Sequence, residues 1–143
     1  MLIYADTSAF AKLWITEAHS DFTRQVLQGS GNIIACSAIG KVEIVSALRR
    51  AYKAGRISGT RFAKIHRELE EKWKDVVVMA TVPEVISTAE RYAIKFALRG
   101  YDAVHLASLL HLTQSGVAPV LASFDDELID AAEKSGIHVL YPR

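Results

Sequence analysis

Leu2-Ile3-Tyr4-Ala5-Asp6-Thr7-Ser8-Ala9-Phe10-Ala11-Lys12-Leu13-Trp14 is the stretch that decides the fold. Its first four residues form a short apolar run that ends at an acid, as a buried strand does, and Ser8 to Trp14 then carries helical spacing. Further along, Ile33-Ile34-Ala35-Cys36 reads as a second buried strand. After it Val42, Ile44, Val45, Leu48, Ala51 and Tyr52 recur at near-helical intervals, with Gly55 as the stop. A charge-rich helix comes next, from Ser58 to about Lys74, with Phe62, Ile65, Leu69 and Trp73 on one stripe. Val76 to Met79 is a third strand. Thr81-Val-Pro-Glu84 reads as a capping box that opens a helix towards Leu98.

The segment from Asp102 to Leu112 is apolar almost all round, which predicts a deeply buried helix. Pro119 to Ala122 is a fourth strand, Asp126 to Lys134 a helix ended by Gly136, and His138 to Leu140 a short fifth strand. Strands that alternate with helices in this way predict an α/β fold: a single doubly wound domain over residues 1–143, its parallel sheet of about five strands covered by helices on both faces.

Bulk properties agree with one domain. Half of the 143 residues are hydrophobic, enough for a core without covalent staples. Cys36 is the single cysteine, so no disulfide forms within the chain. No apolar run approaches the roughly 18 residues of a membrane helix, and the start of the chain has no basic leader. A soluble cytoplasmic protein is therefore expected, with no membrane partner. The net charge of +1 hides a polarity, because residues 41–74 hold ten Lys/Arg against four Asp/Glu. Such a segment suits a surface that tracks phosphates, and equally a solvated helical hairpin.

The chemistry is expected beyond the carboxyl ends of the strands, where open parallel sheets keep their crevice. Asp6 follows the first strand, Asp125 follows the fourth, Glu43 lies in the first turns of the helix after the second, and Asp102 opens the buried helix. Four carboxylates at one sheet edge repel one another unless cations neutralise them, and hard divalent cations take such oxygen ligands. Aspartates at helix starts also serve as caps, so Asp6, Asp102 and Asp125 each have a structural explanation. Asp126 fits a capping-box role with Ser123. Glu43 is set among Val42, Ile44 and Val45, with Arg50 on the same helical face as a potential partner. His105 reads as a buried structural histidine, Cys36 as core, and Trp14 and Trp73 as packing residues.

The ordered motifs Tyr4-Ala-Asp6-Thr-Ser8, Val42-Glu43-Ile44, Gly100-Tyr-Asp102-Ala-Val-His-Leu-Ala107 and Ser123-Phe-Asp125 resemble those of PIN-domain nucleases. More narrowly, they resemble the VapC toxins of prokaryotic toxin–antitoxin pairs. The resemblance implies an endoribonuclease whose acids Asp6, Glu43, Asp102 and Asp125 bind Mg²⁺ or Mn²⁺ and activate a water. It implies support from Thr7 or Ser8 and from Ser123. Asp125, by its spacing from Ser123, is favoured over Asp126 as the acid that faces the metal. The family's preference for single-stranded or looped RNA gives the basic segment a task, through Arg49, Arg50, Lys53 and Arg56. It further implies a small VapB-like antitoxin as partner, a homodimer, and a hetero-oligomer with the antitoxin.

Two other readings belong to the same family: a stand-alone RNA-processing nuclease, and an RNA-binding module with little cleavage. A receiver-type signalling domain would need a phosphoacceptor aspartate at the end of the third strand. Met79-Ala-Thr-Val82 offers none.

Overall fold

The computed structural model describes residues 1–141; Pro142 and Arg143, the last two positions of the expected domain, lie outside the described residues. Five parallel strands form one sheet: β1 (Leu2–Ala5), β2 (Ile33–Ser37), β3 (Val77–Met79), β4 (Val120–Ala122) and β5 (His138–Val139), in the order β3-β2-β1-β4-β5. Ile3 stands opposite Ile34 on one side and Val120 on the other. The chain winds outward from β1 through β2 to β3, then crosses to β4 and β5. The switch point falls between β1 and β4, where the crevice of a doubly wound sheet opens.

Seven α-helices are found among the described residues: α1 (Thr7–Phe10), α2 (Ser20–Leu27), α3 (Ala38–Lys53), α4 (Gly59–Trp73), α5 (Pro83–Phe96), α6 (Gly100–Thr113) and α7 (Asp126–Lys134). Alternation along β1 sends Ile3 and Ala5 to one face and Tyr4 to the other. Ile3 and Ala5 pack with Phe10, Leu27, Ile44, Leu48, Ile65 and Leu69 beneath α1–α4. Tyr4 packs with Val85, Ala89, Leu106, Leu109, Leu128 and Ala132 beneath α5–α7. Helix α6 is the most enclosed, as its all-round apolar sequence predicts, with seven of its residues buried.

The structure departs from the sequence reading at several element ends. Helix α1 lasts only four residues and tightens into a 3₁₀ turn over Ala11–Leu13 instead of running to Trp14. Helix α2 is not announced by periodicity because its buried face, Ser20, Thr23 and Leu27, is mostly polar. The Thr81 capping box does not form. Pro83 takes the first helical position, so Val82 becomes the cap residue, and no side chain caps the helix. That helix also stops before Leu98, at Ala97, which turns left-handed with φ of 54°.

Candidate active site

The site is assembled from four helix starts. Asp6 follows β1 and caps α1, its Oδ1 accepting from the Ala9 amide at 3.0 Å. Ser8 Oγ donates to the same oxygen at 2.7 Å, and Ser123 Oγ, just past β4, donates to Oδ2 at 2.6 Å. Both serines are pinned in turn: the Phe124 amide donates to Ser8 Oγ and the Asp125 amide to Ser123 Oγ. Asp6 is buried, and burial raises its carboxyl above the ordinary range. The nearby His105 and the hydrogen bonds from Ser123, Ser8 and the Ala9 amide pull in the opposite direction.

Asp125 caps α7 through Oδ1, which accepts from the Leu128 amide at 2.9 Å. This corrects the sequence reading of a Ser123–Asp126 capping box: Asp125 is the cap, Ser123 serves Asp6, and Asp126 is an exposed first-turn residue. Asp102 sits in the first turn of α6, where Arg99 is the cap residue without a capping side-chain bond. Burial, then the neighbouring Asp125 carboxylate, raises the Asp102 carboxyl, and Arg99 opposes the shift.

Glu43 does have partners, although Arg50 is not one of them. His105 Nε2 lies 2.6 Å from Glu43 Oε1, and Thr7 Oγ1 donates to that same oxygen at 2.9 Å. On the other side of the ring, Nδ1 lies 2.9 Å from the Tyr4 hydroxyl, which also accepts from the Ser37 amide at 3.1 Å. An ionised carboxylate only accepts, so Nε2 carries the hydrogen and donates to Glu43; in the neutral ring Nδ1 is then the acceptor that faces the Tyr4 hydroxyl. Burial lifts the Tyr4 phenol well above its ordinary range. His105 is buried, as expected, and it is also the group that fixes Glu43. Gly40 packs beside this ring: a Cβ there would overlap Cys36 Sγ but would meet the His105 ring only in ordinary contact, at 3.7 Å.

Asp6, Thr7, Ser8, Glu43, Asp102 and Asp125 thus line one open cleft of about 310 Å³, together with Arg99, Tyr101 and His105. Two larger clefts adjoin it and share Thr7, one of about 580 Å³ along Val42, Arg50 and Tyr101, the other of about 590 Å³ along Lys12, Arg50, Arg56 and Phe124. Of the basic residues named from sequence, Arg50 and Arg56 line these clefts. Arg49 lies over the Tyr52 ring at 4.7 Å, and neither it nor Lys53 lines them. Trp14 bonds Glu68 and stacks on Phe10, as a packing residue would. Arg99, Tyr101 and the link from Tyr4 through His105 are not evident from sequence patterning. The one signal, and for the His105 link alone, is Tyr4 itself, a phenol in an apolar strand that has to find a partner.

The PIN domain family model matches residues 3–134. The chain belongs to the PIN-domain family. Within it, the chain is 32% identical to ribonuclease VapC49 of Mycobacterium tuberculosis over 96% of its own length and 94% of the relative's. It is 33% identical to ribonuclease VapC46 of the same organism over 98% and 97%. These relatives place it in the VapC branch. Among solved structures, M. tuberculosis VapC20, a Sarcin-Ricin loop cleaving toxin, superposes with a TM-score of 0.71 at 16% identity, covering 98% of this chain and 99% of that one. A toxin–antitoxin complex from Klebsiella pneumoniae gives 0.67 at 15% identity, covering 99% and 98%. At such identities these two structures speak for the PIN fold alone.

Four carboxylates on one cleft of a PIN domain are hard oxygen donors of the kind Mg²⁺ and Mn²⁺ prefer. As they stand, however, no three acidic, histidine or cysteine side chains among the described residues converge as a ready ligand set. Both oxygens of Asp6 and of Asp125, and one oxygen each of Glu43 and Asp102, already accept hydrogen bonds from internal partners, while Glu43 Oε2 and Asp102 Oδ1 take none among the described residues. The donor chemistry fits a divalent cation, in an arrangement partly closed by internal partners.

Proposed function

We propose that this protein is a Mg²⁺- or Mn²⁺-dependent endoribonuclease, the toxin of a VapBC-type pair. The single observation that carries the reading is the arrival of Asp6, Glu43, Asp102 and Asp125, which are remote in sequence, at one cleft beyond β1 and β4. Asp6, Asp102 and Asp125, with Glu43 beside them, would hold the cation. When bound, it supplies Lewis acidity, easing proton loss from water and neutralising charge on the phosphate oxygens.

The remaining tasks fall to the chain itself. The bonds from Ser8, Ser123 and the Ala9 amide hold Asp6 in one rotamer and favour its ionised form against burial. Thr7 and His105 hold Glu43 by Oε1, which leaves Oε2 as the free acceptor for a proton from the attacking water. Arg50 and Arg56 line the side clefts as contacts for the phosphates of a single strand. A VapB-like antitoxin is the inhibitory partner in this reading, supported by the VapC relatives and by the toxin–antitoxin complex that shares the fold. A homodimer belongs to the same proposal, with Ile86 and Ile94, 47% and 79% exposed on α5, as its apolar contact.

The test is cleavage of a single-stranded RNA pool by purified protein in Mg²⁺, in EDTA, and in EDTA with excess Mn²⁺. Cleavage that stops in EDTA and returns with Mn²⁺ is expected. Equal cleavage in EDTA would remove the metal from the mechanism, and none in any condition would leave a binding module.

A further inference from the structure

Arg99 has no task in metal binding or proton transfer, and its position is unusual. Its side chain is 71% exposed, yet its guanidinium is committed to two acids of the cleft. Nε donates to Asp102 Oδ2 at 3.1 Å and Nη2 donates to Asp125 Oδ2 at 2.7 Å. The two carboxylates are mostly enclosed, at 16% and 22% exposure, and they come from different helices. Asp125 Oδ1 is already used to cap α7, so Oδ2 is its one oxygen free of that duty. That oxygen is the one the arginine takes. A guanidinium and a divalent cation on this oxygen compete for its lone pairs and repel each other as like charges, so holding one weakens the hold on the other.

Arg99 is equally placed to leave. Its exposed side chain loses little packing on rotation, and it lines the adjoining cleft beside Arg50 and Tyr101 as well as the acidic one. In that cleft a planar fork of donors matches a phosphodiester better than a point charge does. We infer that Arg99 is a built-in counter-cation. It holds Asp102 and Asp125 in the metal-free protein, yields their Oδ2 atoms on metal binding, and turns into the neighbouring cleft to bind a phosphate of the RNA strand. The inference rests on the metal-nuclease reading.

Calorimetric titration with Mn²⁺ tests the first half. The metal must displace an exposed, solvent-screened ion pair, so Arg99→Gln should bind Mn²⁺ roughly fivefold more tightly than the wild type. Arg50→Gln removes an arginine from the same cleft wall that pairs with none of the acids, and should change Mn²⁺ affinity by less than about twofold. In ¹⁵N-arginine side-chain NMR, the Arg99 Nε–H signal should shift or broaden on saturation with Mg²⁺. For the second half, RNA cleavage at saturating Mn²⁺ should show KM raised about tenfold in Arg99→Gln, with Arg99→Lys between it and the wild type.

Tighter metal binding combined with weaker RNA binding in one variant is the expected signature. Unchanged or weaker Mn²⁺ affinity in Arg99→Gln, or an Arg99 signal indifferent to bound Mg²⁺, overturns the counter-cation. An unchanged KM overturns the phosphate contact. Failure of both wild type and Arg99→Gln to bind Mn²⁺ overturns the metal reading itself, which separates that failure from this one.

Discussion

Replacing His105 by asparagine or by glutamine separates the two bonds its ring makes. Asparagine puts an amide near the position of Nδ1 and can still accept from Tyr4, but it reaches no further. Glutamine reaches towards Nε2 and can still donate to Glu43, but leaves the Tyr4 hydroxyl without its acceptor. The bond to Glu43 is short, 2.6 Å, buried on the histidine side and assisted by the carboxylate charge, which puts it at about 1.5–3 kcal/mol. With the void left by the ring, His105→Asn should cost about 3 kcal/mol and lower Tm by roughly 10 °C. Glutamine should cost a similar amount, since it strands a buried phenol.

Activity should split where stability does not. With Glu43 held only by Thr7, kcat on single-stranded RNA should fall on the order of a hundredfold in His105→Asn, since misplacing a catalytic group costs about that much. In His105→Gln it should stay within about tenfold of wild type, the modest loss expected when one donor replaces another. Single-turnover cleavage at a temperature where circular dichroism shows both variants folded is the assay. Equal rates in the two variants, or a wild-type rate in folded His105→Asn, would refute the idea that Nε2 positions Glu43.

The buried carboxylates and the tight helix contact yield further expectations. Asp6 and Asp102 have folded pKa values raised above their unfolded ones, so they favour the fold at low pH and lose that contribution as pH rises through the folded values. The difference in Tm between Asp6→Asn and metal-free wild type should therefore grow in favour of the variant from about pH 4 upward. Melting curves across pH check this, and a difference that shrinks with rising pH would contradict it. Gly40→Ala should destabilise despite better helix propensity, by about 1–3 kcal/mol, because its Cβ overlaps Cys36 Sγ. Adding Cys36→Ala should restore most of the loss in denaturant melts, and no rescue would show that the strain lies elsewhere.

The placement of the acids was legible because it is a consequence of topology. A parallel sheet brings the residues just past each strand to one edge, and Asp6 and Ser123 lie just past the two central strands. The supporting hydroxyls Thr7, Ser8 and Ser123 were legible through motif resemblance, though which acid each serves was not. The remaining features depend on contacts between distant elements. Glu43 and His105 are 62 residues apart, and nothing local to either predicts the pair. Arg99 three residues before Asp102 looks like an ordinary helix-start ion pair until Asp125 arrives on the other side of its guanidinium. The Thr81 capping box failed for a local reason, since Pro83 set the first helical residue and moved the cap by one position.

The metal-nuclease mechanism depends most directly on the carboxylate of Asp6. Asparagine keeps its shape and can still pair with Ser8, Ser123 and the Ala9 amide, so the variant should fold. With Mn²⁺ at saturation, its single-turnover rate on RNA should fall at least about a thousandfold, the scale of losing an electrostatic partner of the reacting phosphate. A folded Asp6→Asn protein that cuts RNA at the wild-type rate would contradict the metal-site assignment.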